Sequence, residues 1–412
     1  MVLYRINHKK RNENMNLNIP KKIEKMLQKI NSAGYEAYIV GGCVRDCFLK
    51  RQPQDWDITT SAEPEQIKKI FNRTYDTGLQ HGTVTVSWEG EHYEVTTYRI
   101  EGKYDDCRHP NTVIFTKNLK EDLQRRDFTI NAIAYHPQQG IKDYFLGQKH
   151  IEQKIIKGVG NAEERFQEDA LRMLRALRFS AQLGFEIEQS TYQALQQKKE
   201  LIKKISVERI HDELEKMLLS EYLEKINLLW KSGLLNEISP IVSNNMEQYG
   251  EEIIKQMKKA PFDRIIRWTI FLQYVEIKQG ETFLKYLKFD NYTIKTVVML
   301  LKHLKDDIAL EEYELRKKAN EMTVEQLKRL LLIHNIQQKQ NIEQLQQYFD
   351  KILQRGDCIT LKTLAVTGED LIKEGMKKGK EIGEMLYFLL DIVHRNPEKN
   401  TKEILLYCAK EK

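Results

Sequence analysis

Near Ile151 the chain changes period, and that change restricts its architecture more than any other feature. Before it, short stretches rich in Val, Ile, Thr and aromatic residues alternate with turn residues; after it, apolar residues recur at the three-to-four spacing of amphipathic helices. Strands are predicted over Ala37–Val40, Trp56–Thr59, Thr83–Trp88, Tyr93–Tyr98 and Phe128–Tyr135, with Thr83–Trp88 and Glu91–Tyr98 forming a hairpin about Glu89-Gly90. Pro20–Ala33 and Pro64–Phe71 read as helices opened by proline. Downstream, Ala162–Leu183 reads as one long helix closed by Gly184, Ser206–Leu219 as another capped by Ser206, and helical runs continue from Tyr222 onward. The expected class is α+β: a mixed-sheet head with helices, then an all-α remainder.

The 412 residues include five cysteines with no Cys-x-x-Cys, which argues against a disulfide framework or a zinc module and for a reducing, cytoplasmic setting. No apolar run approaches the roughly 18 residues of a membrane span, and MVLYRINHKKRNENMNL lacks the apolar segment of a secretory leader. The 66 basic and 60 acidic residues leave a net charge of +6, which many ordinary enzymes share.

Chemistry concentrates in Tyr38-Ile39-Val40-Gly41-Gly42-Cys43-Val44-Arg45-Asp46 and the nearby Asp55-Trp56-Asp57. Paired glycines between a strand and a helix let backbone approach an anion, and Arg45 on the first helical turn adds a cation suited to phosphates. Asp55 and Asp57, two apart on a predicted strand, face one way; two like charges so held call for a hard divalent cation, and Mg²⁺ takes one or two protein carboxylates plus substrate phosphates. Glu94 is the candidate third carboxylate. In isolation, a Gly-Gly turn is more often structural, and an Asp-x-Asp is more often the polar face of an edge strand.

Together these motifs resemble the first motif of the class II tRNA nucleotidyltransferases, the CCA-adding enzymes of Bacillus-like type, within the polymerase-β-type nucleotidyltransferase superfamily. Arg125-Arg126-Asp127-Phe128-Thr129-Ile130-Asn131-Ala132 resembles their second motif, Glu168-Asp169-Ala170-Leu171-Arg172-Met173-Leu174-Arg175 their template helix, and Ser206-Val207-Glu208-Arg209-Ile210 the helix after it. The resemblance runs in order from about residue 15 to 220 and stays compatible beyond. It implies a catalytic head over 15–150, a neck with a nucleotide-selecting helix over 151–220, a body over 221–310 and a tRNA-binding tail over 311–412. Residues 1–14 then read as a disordered extension, or as preceding a true start at Met15. The sequence departs from the family at Asp143-Tyr144-Phe145-Leu146-Gly147, where many members carry Pro after Asp and two closing glycines.

By that resemblance Asp55, Asp57 and Glu94 are catalytic, with Asp55 and Asp57 on Mg²⁺, while Gly41, Gly42, Arg45, Arg126, Asp169, Arg172, Arg175 and Arg178 bind nucleotide. Asp169, Arg172, Arg175 and Arg178 recur every three residues and trace a polar stripe, which on any other helix would be a solvated charged face. A carboxylate accepts from an exocyclic amino group and a guanidinium donates to ring nitrogen or carbonyl, so Asp169 with Arg172 suits C and A, which carry an amino group where U and G carry a carbonyl. Arg125 reads as a phosphate partner and Asp127 and Asn131 as structural. Asp105 and Arg108 occupy the family's flexible loop. The implied reaction is template-independent CCA addition to tRNA from CTP and ATP, the tRNA being held by its acceptor and T arms. Basic stretches at Lys198-Lys199, Lys203-Lys204, Arg316-Lys317-Lys318 and Lys377-Lys378 with Lys380 are candidates for that contact. Competing readings are an A-adding or CC-adding enzyme, a poly(A) polymerase and, last, a non-catalytic RNA-binding protein.

Overall fold

The computed structural model describes residues 17–102, 104 and 110–412. They fall into two compact units, one up to residue 248 and one over 249–412.

The first unit is built on a seven-stranded mixed sheet. Its strands are β1 (Ala37–Val40), β2 (Ile58–Thr60), β3 (Thr74–Gly78), β4 (Thr83–Trp88), β5 (Glu91–Thr97), β8 (Ile133–His136) and β9 (Gly140–Asp143), in the order β3-β4-β5-β2-β1-β8-β9. A separate ribbon pairs β6 (Arg99–Glu101) with β7 (Val113–Phe115). Within the large sheet only β2 and β5 run parallel. Central β1, β2 and β8 are buried at every residue, whereas β4 alternates buried and partly buried positions, as a strand nearer the edge should. The β4–β5 hairpin turns at Glu89 and Gly90, whose φ values of 47° and 86° supply the two left-handed residues of a tight two-residue turn.

Helix α1 (Lys21–Ser32) buries Ile23, Met26, Leu27 and Ile30, one stripe at helical spacing. Next come α2 (Gly42–Phe48), α3 (Pro64–Ile70), α4 (Leu119–Gln124) and α5 (Gly147–Glu152), followed by the helical α6 (Ala162–Glu168), α7 (Leu171–Leu183), α8 (Gln189–Lys198) and α9 (Val207–Leu218). Tyr38, Val40, Tyr98, Leu119, Leu123, Ala132, Ala134 and Val159 form one apolar cluster on the sheet beside α4.

Three expected elements differ. The strand expected over Phe128–Tyr135 begins only at Ile133, because Asp127 Oδ1 accepts from Phe128 N at 2.7 Å and Asn131 Nδ2 at 3.1 Å, closing a 3₁₀ turn over Thr129–Asn131 instead. The strand expected from Trp56 begins at Ile58. The single helix expected over Ala162–Leu183 is two, broken at Asp169, which is extended at φ −138°, ψ 104°. At the turn after β9, Asp143 accepts from Gly147 N at 2.8 Å and Gln148 N at 2.9 Å; a Cβ on Gly147 would stand 2.3 Å from Thr129 O, so only glycine fits.

The second unit is helical, with helices at Arg264–Leu272, Ile277–Tyr286, Asn291–His303, Glu312–Glu321, Val324–Ile336, Ile342–Arg355, Gly368–Lys373, Lys380–Arg395 and Lys402–Glu411. Arg316 is 3% exposed and bonds Asp357 at 2.8 Å, Glu312 at 2.6 Å and His394 O at 2.8 Å, so it locks helices together and leaves the proposed basic surface. Lys377, Lys378 and Lys380 stay exposed. Among the described residues no helix is long and apolar enough to cross a membrane, and Cys43, Cys47, Cys358 and Cys408 are free thiols.

His334 gives this unit a pH dependence. It is 2% exposed and hydrogen-bonded to Leu304 O at 3.1 Å; burial first and Lys339 second bring its pKa down to about 4. Since the unfolded chain takes up this proton near pH 6.5 and the folded chain does not, stability falls as pH drops from 6.5 towards 4. By pH 5 the loss is about 2 kcal/mol relative to pH 7.5. Urea unfolding at the two pH values should show His334→Gln losing less than wild type by that amount; parallel losses would refute the assignment.

Candidate active site

The site begins where β1 ends. Gly41 has φ 86°, and a Cβ there would lie 3.2 Å from Arg126 Nη1 and 3.8 Å from Asp57 Oδ2, so both conformation and space demand glycine. Asp57 keeps sheet register although β2 begins after it: Val40 N donates to Asp57 O at 3.0 Å. Because Ile58 pairs with Val95 in parallel register, Asp57, just before β2, stands beside Glu94 in the middle of β5.

The three carboxylates sense one another. Solvent reaches Asp57, yet the protein around it raises its pKa above the usual carboxylate range, with Arg126 opposing and Asp55 reinforcing the rise. Glu94 is raised likewise, by its surroundings first and then by Asp57 and Asp55. Among the described residues no side chain donates a hydrogen bond to these carboxylates, and no three His, Cys, Asp or Glu side chains form a ready cation cage. Acceptor-only groups whose charges bear on one another, with no donor among the described residues, suit a hard cation that completes its shell with substrate oxygens, so the residues fit Mg²⁺ held by Asp55 and Asp57, with Glu94 alongside.

Next to them opens a cleft of 420 Å³ lined by Gly41, Gly42, Arg45, Asp57, Arg125, Arg126, Asp127, Asn131, Asp169, Arg172, Arg175, Phe179 and Arg209. Six arginines face three aspartates there, a field for a polyanion. Arg45 donates to Asp46 Oδ1 at 2.9 and 2.8 Å and to Asn131 Oδ1 at 2.7 Å, so part of its charge is spent before any phosphate arrives. Arg175 grips Asp127 Oδ2 at 2.9 and 2.7 Å. Burial would raise the Asp127 carboxyl, but Arg175 and Asn131 outweigh it and bring it to about 2. The Phe179 ring carries Arg45 and Arg175 on its face, 5.0 and 5.3 Å from its centroid.

Asp169 leaves the expected helical stripe. Its Oδ1 accepts from Leu171 N at 3.1 Å, ending one helix and opening the next, and Arg209 on α9 holds both carboxylate oxygens at 3.3 and 2.8 Å. Arg172 donates from Nη1 to Glu168 at 2.5 Å and Arg165 O at 3.1 Å, and from Nη2 to Arg125 O at 2.8 Å. Asp169 and Arg172 thus both line the cleft, each held in place by protein partners: an acceptor and a donor of fixed position.

Of the residues singled out by sequence, Gly41, Gly42, Arg45, Asp57, Arg126, Asp169, Arg172 and Arg175 meet in this cleft; Asp55 and Glu94 belong to the carboxylate group beside it. Arg178 does not join them: it is 8% exposed and turned to Glu213 at 2.5 Å and Gln182 at 2.7 Å. Arg125 lines the cleft, but its guanidinium is committed to Asp122 and Glu101 rather than free for phosphate. Asp105 and Arg108 lie outside the described residues. Sequence reasoning missed Arg209 and Asp122. Arg209 stands inside the motif Ser206–Ile210, a signal that was available; Asp122 reads locally as an ordinary helical acid.

Comparison with known proteins bears on most of the chain. Residues 37–157 match the poly A polymerase head domain, 184–246 the probable RNA and SrmB-binding site of polymerase A, and 263–409 the putative tRNA nucleotidyltransferase domain 2. The chain is 37% identical to the CCA-adding enzyme of Lactobacillus delbrueckii, covering 92% of this chain and 94% of that one. It is 38% identical to the CCA-adding enzyme of Streptococcus mutans, covering 94% and 96%. Its fold matches the crystal structure of the Bacillus stearothermophilus CCA-adding enzyme in complex with CTP with a TM-score of 0.79 at 32% identity, over 95% of this chain and 97% of that one.

Proposed function

The chain belongs to the CCA-adding enzyme family, and from that membership we propose that it adds C, C and A to the 3′ end of tRNA from CTP and ATP, releasing pyrophosphate. One observation carries the reading to this chain's residues: the Gly41-Gly42 turn and Asp57 share a cleft with Asp169 and Arg172, so a nucleotide with its phosphates towards the first pair presents its base to the second.

In the reaction a bond forms between the tRNA 3′ oxygen and the α-phosphorus, and the bond from that phosphorus to the β-phosphate oxygen breaks. Asp55 and Asp57, with Glu94 beside them, would hold Mg²⁺, which when bound would supply positive charge that favours loss of the hydroxyl proton and balances the leaving pyrophosphate. Arg126 and Arg45 hold the triphosphate, and Arg175 shares its charge between Asp127 and the ligand. Asp169 accepts from the base amino group and Arg172 donates to the ring, which selects C and A. Because no nucleic-acid template enters the choice, positioning and fixed charge are what the chain contributes.

We read residues 15–150 as catalytic head, 151–220 as neck, 221–310 as body and 311–412 as tail. The helical parts would hold the acceptor and T arms by backbone contacts, with Lys377, Lys378 and Lys380 among the cations, at an affinity that falls with salt. The free thiols fit a cytoplasmic setting.

Transcripts ending before C74, after C74 and after C75, incubated with CTP and ATP separately and together, test the function. Full CCA addition predicts one-nucleotide steps that need CTP for the first two and ATP for the last. Arrest after two residues, addition of A alone, or an extended A tail would replace this reading with a CC-adding, A-adding or poly(A) activity.

A further inference from the structure

Arg125 and Arg126 are consecutive, and neighbouring side chains ordinarily diverge; here both return to one carboxylate. Asp122, on α4, lies three and four residues upstream, the spacing that brings side chains together on a helix. Its Oδ1 accepts from Arg125 Nε at 3.0 Å and Nη2 at 2.8 Å, and its Oδ2 from Thr59 Oγ1 at 3.1 Å and Arg126 Nη2 at 3.5 Å. The Asp122 side chain has 0% exposure, so it has no water with which to exchange these partners.

Both arginines line the cleft, and Thr59 adds the strand that follows Asp57; Arg99 N is a further, longer donor to Asp122 Oδ1 at 3.4 Å. Thr59 sits in β2, two residues beyond Asp57. Arg125 places its carbonyl oxygen 2.8 Å from Arg172 Nη2. Arg126 faces Gly41, and among the described residues Asp122 is the one group hydrogen-bonded to its guanidinium; its Nε is buried with no partner. A guanidinium held at one corner, with a buried donor left over in a cleft of this size, is prepared for a ligand oxygen.

We propose that Asp122 is a positioning residue for nucleotide binding. It fixes Arg126 beside the reacting phosphates and, through the main chain of Arg125, Arg172 beside the base, while Thr59 ties both to the strand that carries Asp57. The inference rests on the reading of this cleft as the triphosphate and base site. It touches no substrate atom, so its loss should act on affinity and selection more than on the chemical step.

Asp122→Asn keeps shape but replaces one acceptor with a donor, so it cannot serve both arginines. KM for CTP and for ATP should rise about tenfold or more with kcat changed by less than about threefold, the pattern of lost ground-state and transition-state binding together. Misincorporation of UMP relative to CMP should rise as well. Thr59→Val removes the strand tether, along with the hydroxyl's longer contact to Thr96 O at 3.3 Å, and leaves both arginines their carboxylate; it should raise both KM values about twofold to fivefold, a smaller step in the same direction. Circular dichroism melts identify folded variants; if Asp122→Asn does not fold, Thr59→Val decides. Folded variants with wild-type KM and selectivity, or with kcat alone reduced, overturn the proposal. Wild type that fails to add C and A would defeat the functional reading itself, a distinct outcome.

Discussion

Asp57→Ala should bind tRNA as wild type does in a gel-retardation assay and incorporate neither CMP nor AMP. A fall in turnover of at least about a thousandfold is expected, which is about 4 kcal/mol of transition-state stabilisation. Asp55→Ala should behave the same way. The structure also predicts what happens to stability, and in the opposite direction. Ionised Asp57 is disfavoured in the folded chain, since its pKa is raised by its surroundings and by Asp55 despite Arg126. A carboxyl with a raised folded pKa costs stability above that pKa, so removing it should leave the melting temperature of the ligand-free protein unchanged or higher. A structural aspartate would show the reverse, with lost stability accompanying lost activity. Turnover by Asp57→Ala in a Mg²⁺ assay, or a clear drop in its melting temperature, would count against the assignment.

Elements specified by local chemistry were legible in the sequence, and those specified by distant partners were not. The β4–β5 hairpin announces itself through Glu89-Gly90 between two β-rich runs, and the Gly41 turn through paired glycines after a strand. Edge strand β3, over Thr74–Gly78, has no apolar alternation and exists because β4 offers it a ladder. The break at Asp169 carries no proline or glycine; Glu168-Asp169-Ala170-Leu171 reads as continuous helix until Arg209, 40 residues on, supplies the charge that holds Asp169 out of it. Arg178 shows the same limit. Its period matches Arg172 and Arg175, but Glu213 captures it from α9, and burial makes that pairing decisive over helical phase. The candidate site was therefore readable as a set of residue types, while the direction each arginine takes depended on which acid the fold brings near.

That dependence also shapes the second large effect. Asp169→Ala should keep turnover with CTP and ATP within reach of wild type and lose the choice of base. On the proposed reading the carboxylate accepts from the amino group that C and A carry where U and G carry a carbonyl, and a good bidentate pair is worth about 1–3 kcal/mol of discrimination. The ratio of CMP to UMP incorporation should thus fall roughly tenfold to a hundredfold. The triphosphate should not bind less well. Asp169 is one of three aspartates among six arginines in the cleft, and its removal frees Arg209, which now spends both Nη groups on it. Extra positive charge favours any nucleoside triphosphate regardless of base, so KM for UTP and GTP should drop while KM for CTP rises little. Arg209→Ala separates the two contributions: it leaves the Asp169 acceptor in place but held by Leu171 N alone, predicting weaker selection without the gain in UTP binding. Single-turnover assays with each nucleotide on a transcript ending before C74 measure all of these quantities. An Asp169→Ala enzyme that still rejected U and G as wild type does would show that the base is read elsewhere in the cleft.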